Sequence, residues 1–394
     1  MKLKFSKELL NYNNYQNFIL AFLYLSGFLS AFLNKIISGF DLVLIALIFA
    51  TVDIIFNLIS RKVTYNKNSI HLLFIILIFY TWMIFTLTYS PSFEYKYEKT
   101  GNFLVSILLF LYPLFIRKVN FNFIIKLYTI IMVPFAVFLV YMKSITYSVE
   151  RESVELFIGY WLDYLSLGFH LGILVLLLNY FNKNIFLQIL TLALLFASSA
   201  RGPLIFTILI LILMNFKKNK RIIFKSFLRY KKTFFLLIVL IFINLNNFAS
   251  LFQKSIGRFM SLGSGYDESV ASRIAMMKYA FYQPFENMSN FLFGNGIGSF
   301  GIYYNGVDAR GYPHNVILEI FFELGLLGVI IFFVLMVFIM KRFSVRNNVF
   351  SILFFFAFLN AMKSSNLTSL WIFFSFIAGM SLNNKIIKVN DYNN

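Results

Sequence analysis

The chain has 394 residues, of which 60% are hydrophobic, 20% aromatic and 13% charged, and its mean hydropathy is +0.77. A soluble surface at this length needs about a quarter of the residues charged, so an ordinary soluble protein is excluded and lipid must cover much of the surface. Lys and Arg outnumber Asp and Glu by 35 to 16, a net charge of +19 that in a membrane chain marks cytoplasmic loops rather than a nucleic-acid surface. Cys is absent, which removes disulfides, thiolate metal sites and Cys nucleophiles together, and three His leave few candidates for imidazole chemistry.

Taken in chain order, apolar runs able to cross a bilayer with their flanks predict an all-α, polytopic membrane protein of about 12 transmembrane helices. They are Phe18–Leu33, Ile36–Ile59, Ile70–Tyr89, Phe103–Ile116, Phe123–Met142, Leu156–Tyr180, Ile185–Ser199, Pro203–Phe216, Thr233–Phe248, Val316–Met340, Val349–Met362 and Thr368–Leu382. The first run follows Lys2, Lys4 and Lys7 but no A-x-A cleavage site comes after it, so it reads as a retained helix. With both termini cytoplasmic, 22 of the 35 cations fall inside and 12 outside, which sets the orientation. Five of those outside lie in one long segment, where the rule has little weight. Three parts follow: residues 1–248, nine spans; 249–315, a large external loop; and 316–394, the C-terminal helices.

The long loop carries its own signals. After a cap at Asp267 or Ser269, Val270, Ile274, Met277 and Phe281 recur at helical spacing and Pro284 ends the pattern, which predicts a short amphipathic helix at the outer interface. Phe293-Gly294-Asn295-Gly296-Ile297-Gly298 superficially suggests a phosphate loop. It follows no strand and opens no βαβ unit, so it reads as a flexible turn or a nest of backbone donors.

The polar residues that stand in or beside apolar runs are the candidates for chemistry. Arg201 lies in a short turn, Ser198-Ser199-Ala200-Arg201-Gly202-Pro203, on the outer side, where small neighbours leave its guanidinium room to point inward. His314 and Asn315 follow Pro313 at the start of the tenth span. A helix N-terminus disfavours imidazolium, which keeps His314 neutral and able to take a proton. Asn315, Glu319 and Glu323 form one stripe of that helix, and Arg201 and Arg273 are the expected partners of its acids. Tyr312 and Arg310 flank His314, and Arg258 lies in the same segment. His71, His170, Asp41, Asp53 and Asp163 sit in no motif and read as structural or cavity-lining. Arginines grip phosphate oxygens in bidentate fashion and can neutralise a departing pyrophosphate without a metal. No D-x-D occurs, which argues against a divalent-cation nucleotide-sugar transferase.

Gly294-Asn295-Gly296-Ile297-Gly298, then His314-Asn315-Val316-Ile317-Leu318-Glu319 and Glu323-Leu324-Gly325-Leu326-Leu327-Gly328, resemble the G-x-G … H-N-x-x-L-E … E-x-G-x-x-G pattern of the O-antigen ligase/polymerase (Wzy/WaaL) superfamily. Ser199-Ala200-Arg201-Gly202 is similar to that family's S-R-G-type turn, and the matching stretches cover roughly Leu192–Gly328. The resemblance implies a GT-C-like, inverting membrane glycosyltransferase of the bacterial inner membrane that needs no metal or cofactor. Its donor would be an undecaprenyl-pyrophosphate-linked oligosaccharide on the outer face. Arg201 and Arg273 would bind the pyrophosphate, His314 would be base to the acceptor hydroxyl, and Asn315, Glu319, Glu323, Tyr312 and Arg310 would contact substrate. The implied partners are that lipid-linked glycan, membrane lipid, and chain-length regulator and flippase proteins, with no nucleic acid. A polymerase of surface polysaccharide is favoured over a ligase to lipid A-core on the breadth of the polymerase class; a lipid-linked oligosaccharide flippase is the alternative from another class.

Overall fold

The computed structural model describes residues 12–34, 37, 39, 41–60, 67–116, 118–146, 164–215, 268–342, 348–364 and 366–382, and all regular structure among them is helical. The helices are α1 (Tyr12–Leu33), α2 (Leu42–Ser60), α3 (Lys67–Thr86), α4 (Tyr95–Phe115), α5 (Phe121–Thr146), α6 (Tyr164–Tyr180), α7 (Ile185–Ala197), α8 (Arg201–Asn215), α9 (Glu268–Tyr282), α10 (Met288–Phe293), α11 (Phe300–Asn305), α12 (Val316–Arg342), α13 (Val349–Ser364) and α14 (Trp371–Met380). Short 3-10 turns at Gln283–Glu286 and Leu367–Leu370 precede α10 and α14. Every expected span except Thr233–Phe248 overlaps one of these helices; that span, the first eight residues of Leu156–Tyr180, Asp163 and Arg258 lie outside the described residues. Among the described helices, α1, α2, α3, α5 and α12 are long and apolar enough to cross a membrane, and α6, α7, α8, α13 and α14 are shorter apolar helices.

The side chains of α2 show why lipid is the solvent. Leu44, Ile48, Val52, Ile55 and Ile59 are exposed, whereas Asp53 and Asn57, one turn apart, are buried. A helix in water would be turned the other way. Asp53 is within reach of the Tyr112 hydroxyl (3.4 Å), and Asp41 caps α2 by accepting the Val43 N–H (2.8 Å) and the Ser30 hydroxyl (3.1 Å). Both acids therefore have structural work to do.

The chain packs as two units. The first comprises residues 1–46, 118–265 and 386–394. Its centre is α6, where every residue from Leu167 to Leu178 except Phe169 is buried, and α1, α5, α7 and α8 pack around it. An all-round apolar helix of this kind belongs in the middle of a bundle. His170 is enclosed there by the rings of Phe28, Tyr128 and Phe169. The second unit comprises residues 47–117 and 266–385. There α14, buried from Ile372 to Met380, lies between α4 and α13, while α12 packs on α3, α9 and α10. Residues 47–117, placed by sequence order with the N-terminal bundle, thus pack with the loop and the C-terminal helices.

Candidate functional site

α12 carries most of the site in the second unit. Asn315 caps its N-terminus: its Oδ1 accepts the N–H groups of Ile317 (3.0 Å) and Leu318 (3.1 Å), and its Nδ2 donates to the Met362 carbonyl (3.0 Å). These are the orphan donors a helix start leaves, so the Asn315 side chain is held in a structural role. His314, just before the cap, has φ +58°, a left-handed conformation uncommon for a residue with a Cβ. Its ring lies 4.5 Å from that of Tyr312, and the Arg310 guanidinium stands 5.7 Å from the other ring's centre. The His314 Nδ1 is buried with no hydrogen-bond partner among the described residues. Burial first, and then the charge of Arg273, lower its pKa to about 4, so the imidazole is neutral as expected. The structure thereby brings His314, Tyr312, Arg310 and Arg273 together.

The acids of α12 have a different partner from the expected one. Lys99 of α4, wholly buried, donates to Glu319 Oε1 (2.5 Å) and to both oxygens of Glu323 (2.7 Å each). The other Glu319 oxygen accepts the Leu367 N–H (2.7 Å). Among the described residues the ion pairs of these acids run to Lys99, not to Arg273. The reason lies in α4, which begins at Tyr95, a full two turns before the apolar run at Phe103, and so carries Lys99 as a helix residue facing α12. Two buried carboxylates four residues apart required a cation, and sequence order gave no hint that it would come from a helix 220 residues away.

Asp308 explains how α4 starts so early. Its carboxylate accepts the Ser92 hydroxyl (2.6 Å) and the N–H groups of Phe93 (2.7 Å) and Glu94 (2.9 Å), serving as an N-cap supplied by the loop. Partial burial would raise its pKa, but these bonds outweigh that and hold it below the ordinary carboxylate value.

The glycine turn is neither flexible nor a free donor nest. Gly325 breaks α12 (φ +69°, ψ −171°), leaving the carbonyls above the break without helical partners. Asn295 N–H bonds Phe322 O (2.9 Å), Gly296 N–H bonds Glu323 O (2.9 Å), and Trp82 Nε1 bonds Leu324 O (3.0 Å). Two of the turn's donors are therefore occupied by α12, while Gly294 N–H bonds Asn290 O and Ile297 N–H bonds the Thr86 hydroxyl oxygen. A Cβ on Gly294 would collide with the Glu323 carbonyl, and one on Gly325 with the Leu292 carbonyl, so the approach demands glycine on both strands of the contact.

The amphipathic helix is present as α9. Ala280, with Met276 and Tyr279, packs on Phe300 and Phe322, while Ile274 (47%) and Phe281 (45%) of the expected stripe are exposed. Periodicity marks an apolar face without saying whether protein or lipid covers it, and an interfacial helix turns that face to lipid. Arg273 is half-buried on this helix.

In the first unit, Arg201 opens α8, and Ser199 before it is left-handed (φ +63°). Ser198, Ser199 and Ala200 are buried, and a Cβ on Gly168 of α6 would run into that of Ala200. The turn is clamped against α6, with Arg201 half-buried at a helix N-terminus, where the dipole favours anions.

No curated protein matches the chain. Residues 186–333 match the family model described as O-antigen ligase, a segment that holds Arg201, Arg273, the glycine turn, His314 and the upper part of α12. Among the described residues five helices are long and apolar enough to cross a membrane, as in a multi-pass membrane protein. Residues 186–333 are thus similar to the O-antigen ligase/polymerase superfamily, a family of glycosyltransferase-type enzymes.

Proposed function

We propose that the protein is a surface-polysaccharide polymerase that moves a growing glycan from undecaprenyl pyrophosphate onto the next lipid-linked repeat unit, on the outer face of the inner membrane. The observation that carries this is His314, neutral and without a hydrogen-bond partner among the described residues, at the head of α12 under the influence of Arg273. In the proposed reaction the His314 imidazole accepts the proton of an acceptor sugar hydroxyl. That oxygen attacks the anomeric carbon from the face opposite the pyrophosphate, the new C–O bond forms as the bond to the phosphate oxygen breaks, and the electron pair leaves on the lipid pyrophosphate with inversion. Arg201, at the N-terminus of α8, and Arg273 neutralise the charge that develops there. No metal is needed for this step. Tyr312, tilted beside the His314 ring, and Arg310 over the Tyr312 ring offer an aromatic group and a cation to the sugar.

The test is expression of His314→Ala and Arg201→Ala in a strain lacking the gene, with the surface glycan resolved on a gel. A polymerase leaves single-repeat glycan in both variants. Full-length glycan stranded on its lipid carrier would instead mean a ligase, and normal ladders from both variants would refute the catalytic assignment.

A further inference from the structure

Among the described residues His314 has no hydrogen-bond partner at Nδ1, and its backbone is strained, so its location depends on what holds the head of α12. Three ties do so. The Asn315 amide donates to Met362 O, Glu319 accepts the Leu367 N–H, and Lys99 reaches both Glu319 and Glu323 from α4. The first binds α12 to the end of α13 and the second to the 3-10 turn before α14; the third binds it to α4. Lys99, Glu319 and Glu323 are all 1% exposed or less. A buried ion cluster of this kind is a poor source of net stability, because the cost of desolvating the charges offsets most of their attraction, and apolar side chains of similar volume often serve as well or better. What the cluster supplies that apolar packing does not is a fixed register. Lys99 has three donors and uses them on three carboxylate oxygens belonging to successive turns of one face of α12. The Asp308 cap secures the beginning of α4 to the loop that carries Arg310, Tyr312 and His314, so α4 is tied to both sides of the histidine.

We propose that Lys99 is a positioning residue for the reaction: by bridging Glu319 and Glu323 it sets the height and rotation of the head of α12 and thereby places His314 against the acceptor hydroxyl. This rests on the assignment of His314 as base. A displacement of about 1 Å at a reacting group can cost on the order of 100-fold in rate.

The experiment is steady-state kinetics with purified full-length protein in lipid nanodiscs, using the lipid-linked repeat unit as substrate. Lys99→Met is expected to lower kcat about 100-fold with KM within about twofold, since Lys99 has no place in pyrophosphate binding, and Lys99→Arg is expected to recover at least a tenth of the native rate. Because Lys99→Met leaves two buried acids unpaired and can fail to fold, two further variants are measured. The triple variant Lys99→Met/Glu319→Gln/Glu323→Met removes every charge of the cluster while keeping an acceptor for Leu367. Glu319→Asp keeps every charge but withdraws one carboxylate by a methylene. Both are expected to fold and to lose kcat with KM preserved. Native kcat in either folded variant would overturn the proposal. His314→Ala measured in parallel separates the two levels: if it keeps native kcat the base assignment itself fails, whereas an inactive His314→Ala beside a fully active triple variant removes only the role of Lys99.

Discussion

The break in α12 offers a sharp test, through Gly325→Ala. At φ +69° and ψ −171° a residue with a Cβ is strained by about 1–3 kcal/mol. The new methyl would also stand on the Leu292 carbonyl and within 2.5 Å of Gly294 N, backbone atoms that cannot swing aside as a side chain would. To make room, the glycine turn must withdraw from α12, breaking the bonds from Asn295 N–H to Phe322 O and from Gly296 N–H to Glu323 O. At roughly 1 kcal/mol for each lost bond, and more where the carbonyl is left dry, the total loss is about 4 kcal/mol or more. Gly306→Ala is the matched control, since Gly306 has φ +73° but open space around it, and its cost is the conformational term alone, about 1–2 kcal/mol. Reversible unfolding in mixed micelles should therefore separate the two variants by about 2–3 kcal/mol, the difference of the two figures. Equal stability would mean that the turn does not seal the break in α12, and the account of the glycine motif would fall.

Two further outcomes follow from the titrating groups. A base must be neutral, so with the His314 pKa lowered to about 4 the acid limb of kcat/KM should lie near pH 4, and Arg273→Gln, which removes one of the two causes, should move that limb upward toward the ordinary histidine value. A native limb near pH 6.5, unmoved in Arg273→Gln, would contradict the neutral buried imidazole. Asp308→Ala should cost about 1 kcal/mol at neutral pH through loss of the α4 cap. Because the pKa of Asp308 is lowered, its contribution is complete above about pH 4 and fades as pH falls through the lowered value, so the native and variant unfolding curves should converge in acid.

The sequence by itself determined that lipid covers this chain, where most of its helices lie, and which few polar residues are costly enough to be functional. These follow from composition and from hydrophobic runs, which are local properties: Arg201, His314 and the Asn315–Glu319–Glu323 stripe were all visible as polar residues beside or inside apolar helices. Their surroundings were not local. Lys99 stood in a polar stretch ahead of an apolar run, and in the fold that stretch begins α4, capped by the loop's Asp308 from more than 200 residues away, with Lys99 bonded to the acids of α12. The glycine motif could be seen but not interpreted, because its meaning depends on the carbonyls that Gly325 frees on another element. For α9 the period of the apolar residues was legible, but the second face, which packs Ala280 on Phe300 and Phe322, was not, since an apolar stripe does not say whether lipid or protein covers it. Tertiary structure decided these points for one physical reason: a buried charge, a broken helix and an apolar face are each completed by a partner, and chain order does not say where that partner will be.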